Sequence, residues 1–128
     1  SLFTEDAEVD YRGASYRFTL AGRDAIVAAL SQAFHPRFVG SHTVHMPIID
    51  VQDDDTAEGR WTLLDYACDM ANDNKTTIGA AHYLDHYVKR DGRWLIARSE
   101  YDRVYERVFN DPDPHVTAHI LATAGIGG

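Results

Sequence analysis

The fold turns on residues 40–66, GSHTVHMPIIDVQDDDTAEGRWTLLDY. The stretch reads as two long strands on either side of the acidic triplet Asp53-Asp54-Asp55, antiparallel and joined by a tight turn. A two-residue turn at Asp53-Asp54 pairs Gln52 with Asp55, and that register, carried down the ladder, sets His42 opposite Asp65. Residues opposed in this way share a face, with Cβ atoms about 4.5–5.5 Å apart. A carboxylate beside an imidazole fixes its tautomer and favours its protonated form, so the pair has the makings of an acid/base unit. A slip of one residue would turn Asp65 to the other face and leave it a plain surface acid.

Downstream, Asn72-Asp73-Asn74 marks a turn into a strand over 76–90. Asp91-Gly92 is a hairpin signal that feeds a fourth strand from Trp94 to about Val108. Four strands at about 41–52, 55–71, 76–90 and 94–108 make a meander, each strand well beyond the usual five or six residues. A sheet of that length twists and curls into a concavity. Upstream, Ile26, Val27, Leu30 and Phe34 recur at helical spacing, which predicts a helix over 23–34, begun near Gly22, stopped before Pro36 and lying across the mouth of the curled sheet. Residues 8–12 alternate as a short strand with Val9 and Tyr11 on one face, and 15–20 form a second strand or an extended loop. Residues 1–7 read as the end of something that begins upstream. The domain is expected to span 1–108. The tail, 109–128, carries Pro112, Pro114, a short helical stretch at 115–124 and a glycine-rich end, and is expected to act as a lid or as an arm to a neighbouring subunit.

Composition narrows the function. The chain has 128 residues, 45% apolar and 25% charged, with a net charge of −8, which suits one globular domain. Lys and Arg are scattered, so no basic run can neutralise the phosphates of nucleic acid or hold a membrane surface. No apolar run reaches the ~18 residues of a membrane span. A single cysteine, Cys68, excludes an intrachain disulfide framework and gives a reducing cytoplasm as the expected location. Metal ligation is not expected: His42 and His45 point to opposite faces of a strand, and His82 and His86 share a face at about 13 Å. No glycine-rich phosphate loop is present, so no cofactor is expected.

With His42 inward, Val44 and Met46 follow it by alternation, and Asp65, Leu63 and Trp61 follow by the paired register. A pocket lined by Tyr11, Trp61, Leu63, Tyr83 and Tyr101 around His42 would take a flat, aromatic or polycyclic molecule. The bland alternative is a satisfied core histidine among tyrosines that merely reflect strand propensity.

Residues Leu2-Phe3-Thr4-Glu5-Asp6-Ala7, the glycine-initiated helix, Ser41 to Val51 (SHTVHMPIIDV), and Tyr83 with Arg90-Asp91-Gly92-Arg93-Trp94 resemble the SnoaL-like branch of the nuclear transport factor 2-like superfamily. That branch includes polyketide cyclases, scytalone dehydratase, bile-acid dehydratase and a hexachlorocyclohexane dehydrochlorinase, and the resemblance spans about residues 2–106. It implies an α+β fold, a cone-shaped barrel in which a strongly curved, mostly antiparallel sheet wraps over helices, assembled as a homodimer or homotrimer. It also implies that the family's N-terminal helix, which carries the catalytic aspartate, falls before Ser1. By resemblance, His42 occupies the position of the catalytic histidine. Tyr11 matches the tyrosine that holds a substrate-bound water. Val9, Leu63, Asp65, Gly79, Tyr83, Ser99, Tyr101 and Arg103 match pocket-lining positions. Other family positions differ: a second catalytic histidine falls at Ala67, a serine and an asparagine at Ala81 and Tyr83, and the dehydrochlorinase's pocket arginine at Ser99. The expectation is therefore a cofactor-independent lyase or isomerase. It would use His42, Asp65 and Tyr11 as catalytic residues on a cyclic, aromatic or steroid-like small molecule in an enclosed pocket, with Val9, Val44, Trp61, Leu63, Tyr83, Ser99 and Tyr101 as ligand contacts. The alternative is a non-catalytic ligand-binding or assembly subunit of the same fold.

Overall fold

A computed structural model describes residues 1–123. Its elements are β1 (Phe3–Arg12), β2 (Arg17–Ala21), α1 (Arg23–Ala33), β3 (Phe38–Val51), β4 (Thr56–Asp69), β5 (Lys75–Arg90), β6 (Arg93–Asn110) and a short α2 (Ile120–Thr123). The six strands form one sheet in the order β2-β1-β6-β5-β4-β3. Every pairing is antiparallel except that of β1 with β6. The meander β3 to β6 is the one expected from the sequence. Register shifts in the β1/β6, β3/β4 and β5/β6 ladders bend the sheet, because an extra residue on one strand increases the local twist. The result is the curved, mostly antiparallel sheet of the cone-shaped α+β barrel. Among the described residues β2 and β3 remain as edges, so the sheet does not close on itself.

Two sequence expectations need correction. The first strand, expected over 8–12, is longer and begins already at Phe3. Thr4 and Ala7 are almost fully buried while Glu5 and Asp6 are exposed; buried positions held by such small residues hide the apolar signal that marks a strand.

The turn between β3 and β4 is also longer than two residues. Asp53 Oδ1 accepts from the backbone N–H groups of Asp55 at 2.8 Å and Thr56 at 2.7 Å, and Gln52 N–H donates to the Thr56 carbonyl at 3.0 Å. An aspartate that closes its own turn in this way favours the wider loop. It pairs Val51 with Ala57, one residue off the expected register. A bulge between His45 and Ile48 restores that register, so His45 faces Thr62 and His42 faces Asp65. Pro47 has no N–H to give the ladder, and Met46 takes a φ of 53°. Met46 is therefore turned away from His42 and is 75% exposed. The expected juxtaposition holds because two deviations cancel.

α1 starts where Gly22 adopts a φ of 89° and donates its N–H to the Ala7 carbonyl at 2.8 Å, which anchors the helix to β1. Its Ile26 is buried with Ala7 and Val9, and Leu30 packs at the margin of that cluster. A second cluster, Leu63, Ala81 and Tyr101 with Tyr11 and Tyr83 against it, fills the base of the concave face. Asp91 and Gly92 both have positive φ, 52° and 74°, as the expected β5–β6 hairpin requires. Gly92→Ala is expected to cost about 1–2 kcal/mol, the penalty of a Cβ in the left-handed region. Urea unfolding measures it, and since nothing lies within 4 Å of the added Cβ the loss has no steric component.

Candidate functional site

Between α1 and the concave face of the sheet lies an apolar trough with two adjoining lobes. The inner lobe, about 390 Å³, is lined by Tyr11, Tyr16, Phe18, Tyr83 and Tyr101 from the sheet side, by Leu30 and Phe34 from the helix side, and by His42. The outer lobe, about 510 Å³, is bordered by Val27, Leu30, Phe34 and His42, and by Ile120 and Leu121 from the tail. The expected enclosed pocket is, as formed by the described residues alone, a trough open to solvent along part of its length. Part of the tail named as a lid, 124–128, lies outside the described residues.

His42 stands where the two lobes meet. Its ring packs edge-on against Phe34, centroid to centroid 6.0 Å, at the C-terminal end of α1. One side of it is exposed, yet the apolar walls strip enough water from the other to hold its pKa below the usual histidine value. The charge of Asp65 opposes that effect, and the charge of Arg103 adds to it. His42 is thus a neutral imidazole near neutral pH, able to accept a proton.

Asp65 shares the face of His42 but does not hydrogen-bond to it. Its carboxylate is taken by Arg103, Nη1 to Oδ1 at 2.5 Å and Nη2 to Oδ2 at 2.9 Å. Both side chains are buried, 7% and 5% exposed. This two-pronged contact suits the planar guanidinium. Arg103 also lies 3.6 Å from the buried Glu106 carboxylate, donates to the Tyr16 hydroxyl at 3.2 Å and stacks over Tyr101. Asp65 therefore influences His42 through space, as a fixed negative charge, and the orienting hydrogen bond expected of a catalytic dyad is absent.

Tyr11, Tyr83 and Tyr101 form one aromatic group. Tyr11 stacks on Tyr101 at 4.6 Å, and Tyr83 meets Tyr101 edge-on at 5.3 Å and Tyr11 edge-on at 6.0 Å. Burial pushes all three phenols above their ordinary pKa, so they are neutral hydroxyls able to donate. The Tyr101 hydroxyl shares a hydrogen bond with that of Tyr16. Tyr11 donates to Ser99 Oγ at 3.2 Å.

The other expected contacts divide. Tyr83 and Tyr101 line the trough. Leu63 is buried beneath it, 2% exposed. Ser99 is buried behind Tyr11. Val9 lies under α1 against Ile26 and outside the trough lining. Trp61 donates its indole N–H to Tyr87 at 2.9 Å. Val44 is 49% exposed, farther along β3. Residues that strand alternation did not find are Tyr16 and Phe18 of the first hairpin and Leu30, Ala33 and Phe34 of α1. Only the helical spacing of Leu30 and Phe34 hinted at them, and it could not say which face meets a ligand.

The SnoaL-like domain family matches residues 1–100. A provisionally named scytalone dehydratase of Novosphingobium aromaticivorans superposes with a TM-score of 0.70 at 29% identity, covering 91% of this chain and 72% of that one. A hexachlorocyclohexane dehydrochlorinase superposes with a TM-score of 0.72 at 19% identity, covering 91% and 78%, a likeness of fold. A Mycobacterium tuberculosis protein of unknown function reaches a TM-score of 0.62 at 27% identity, covering 98% of this chain and 67% of that one. Among the described residues no helix is long and apolar enough to cross a membrane.

Proposed function

The chain belongs to the SnoaL-like domain family, and on that premise we propose that it is a cofactor-independent lyase or isomerase acting on a flat cyclic, aromatic or steroid-like molecule held in the trough. The observation that carries this reading is a neutral His42 set among apolar walls and facing a group of neutral phenols. A general base needs an accessible lone pair next to a dry binding surface, and an oxyanion needs preorganised donors. His42 takes a proton α to a carbonyl or β to a leaving group, and returns it to a departing hydroxyl. Tyr83 and the Tyr16–Tyr101 pair donate to the oxygen that gains charge. Asp65 stabilises the imidazolium as it forms, and Arg103 holds Asp65 in place. The similarity to a scytalone dehydratase-like protein supports elimination of water as the reaction class.

The test is incubation in deuterium oxide with flat cyclic ketones that carry a β-hydroxyl or β-halogen. Loss of water or hydrogen halide, or deuterium at the α-carbon of recovered ketone where the enolate is reprotonated before elimination, is expected. Tight binding with neither event would favour the second reading, a non-catalytic binding subunit, for which the half-open trough and the missing His42–Asp65 hydrogen bond speak.

The pH profile carries its own prediction. Folding lowers the His42 pKa, so the folded protein binds fewer protons than the unfolded chain just below the ordinary value of about 6.5. Stability from this group is present above that pH and is lost as pH falls through the folded pKa. The neutral base is lost in the same window, so kcat/KM is expected to stay level through neutrality and to bend down only below about 6.5. A limb centred above that value would overturn the role given to burial.

The same reading makes the protein a cytoplasmic homodimer or homotrimer. Val44, Met46, Ile48, Ile49 and Val51 along the edge strand β3 are all exposed, and an apolar edge of that length supports self-association. Sedimentation velocity on the wild type and on Ile48→Lys tests it.

A further inference from the structure

Beneath Tyr11 the sheet buries a carboxylate that the proposed chemistry does not use. Asp85 lies on the concave face of β5, 9% exposed, directly opposite Ser99 of β6. One oxygen, Oδ2, accepts from the Tyr87 hydroxyl at 3.0 Å, which in turn accepts from Trp61 Nε1 at 2.9 Å. The other, Oδ1, is buried without a hydrogen-bond partner. Ser99 bears on the carboxylate without closing a full bond to Oδ1, and on its far side receives the Tyr11 hydroxyl at 3.2 Å.

An acceptor-only oxygen left bare in a buried site is costly, whereas a protonated one can donate. The groups around Asp85 offer no compensating cation. From β1 Tyr11 lies near it, from β5 Tyr83 and Tyr87, and from β6 Ser99, while Gly59 stands opposite it on β4 with no side chain; His86, from the next position, is the smallest influence on it. We propose that Asp85, Ser99 and Tyr11 form a hydrogen-bond wire that couples a buried carboxyl group to the floor of the trough and sets whether Tyr11 donates or accepts there. With Asp85 ionised, Tyr11 donates to Ser99, Ser99 donates toward the carboxylate, and Tyr11 offers only a lone pair to a bound molecule. With Asp85 protonated on Oδ1, its O–H donates a hydrogen bond to Ser99 Oγ and keeps the proton, Ser99 donates to Tyr11, and the Tyr11 hydroxyl turns to donate into the trough. The only proton gained comes from solvent to Asp85; the two hydroxyls rotate and keep theirs. Burial raises the Asp85 pKa above the ordinary carboxylate value, which extends the protonated, donating state to higher pH.

Asp85 is thus a positioning residue that acts through Ser99. Its use toward an oxyanion rests on the proposed function, but the wire itself is testable without substrate. The experiment is a pH titration by NMR of protein carrying carbon-13 in the Asp side-chain carboxyls and at the Tyr ring carbons bonded to oxygen. The Asp85 carboxyl is expected to titrate above the usual aspartate range, with a Tyr11 step at the same midpoint. In Ser99→Ala the Asp85 step should persist while the Tyr11 step disappears, and in Asp85→Asn, whose amide can donate as the protonated acid does, Tyr11 should show no step. Titration of Asp85 at or below the ordinary value overturns the proposal, as does a Tyr11 step that survives Ser99→Ala. Neither result bears on whether His42 abstracts a proton, and a protein without turnover leaves the titration unchanged.

Discussion

Replacing Arg103 with methionine should destabilise the protein by about 3–5 kcal/mol, the usual cost of removing one partner from a buried ion pair. The reason is local. Asp65 is 5% exposed and its two oxygens are held by Arg103 alone, while the Glu106 carboxylate lies beside the same guanidinium. Methionine fills much of the space but leaves both acids buried and charged. Urea denaturation followed by circular dichroism measures the loss, and a change below about 1 kcal/mol, the level of a surface pair, would show that the contact is not the buried clamp described. The double variant Arg103→Met/Asp65→Asn should recover part of the loss, because a neutral amide is cheaper to bury than a carboxylate. There is a functional corollary. Arg103 lowers the His42 pKa and Asp65 raises it, so any Arg103→Met protein that folds should move the acid limb of kcat/KM to higher pH.

Replacing His42 with alanine should leave the fold intact and lower turnover by about 10²–10⁴-fold, the usual contribution of a positioned general base. The side chain is exposed on one side and its described ring contact is with Phe34, so stability should change by less than about 1 kcal/mol. His42→Gln keeps a similar shape and a hydrogen-bonding group but cannot take up the proton, and should be equally slow. The decisive comparison is kcat/KM beside the binding constant of the same ketone. A loss confined to KM would make His42 a binding residue. Wild-type turnover in His42→Ala would remove the catalytic reading altogether and leave the trough as a binding site.

The long strands, the Asp91-Gly92 hairpin and the helix that begins after Gly22 were all legible in the sequence, because each rests on a local rule. Alternation, positive φ and helical spacing act within a few residues. The inward histidine, its facing aspartate and the tyrosines at Tyr11, Tyr83 and Tyr101 were legible for the same reason. Less visible was the start of β1, where the most deeply buried residues are Thr4 and Ala7, too small or too polar to mark a buried strand. The turn after β3 was misread because Asp53 closes it with its own carboxylate, and the bulge at Met46-Pro47 then compensated.

The sequence by itself determined which residues could face one another: strand period and pairing bring His42 and Asp65 to one side of one sheet. Only the tertiary structure decided what that proximity means. Arg103 comes from β6, two strands away from Asp65 in the sheet order, and its guanidinium reaches Asp65 across Gly79 of β5, where a Cβ would lie 2.8 Å from Nη1. The buried ion pair takes the Asp65 carboxylate out of hydrogen-bonding reach of the imidazole, and the burial of its ring, with a smaller push from the Arg103 charge, keeps His42 neutral. No spacing rule along the chain encodes that competition, because it is settled by where three strands converge and how little water remains between them.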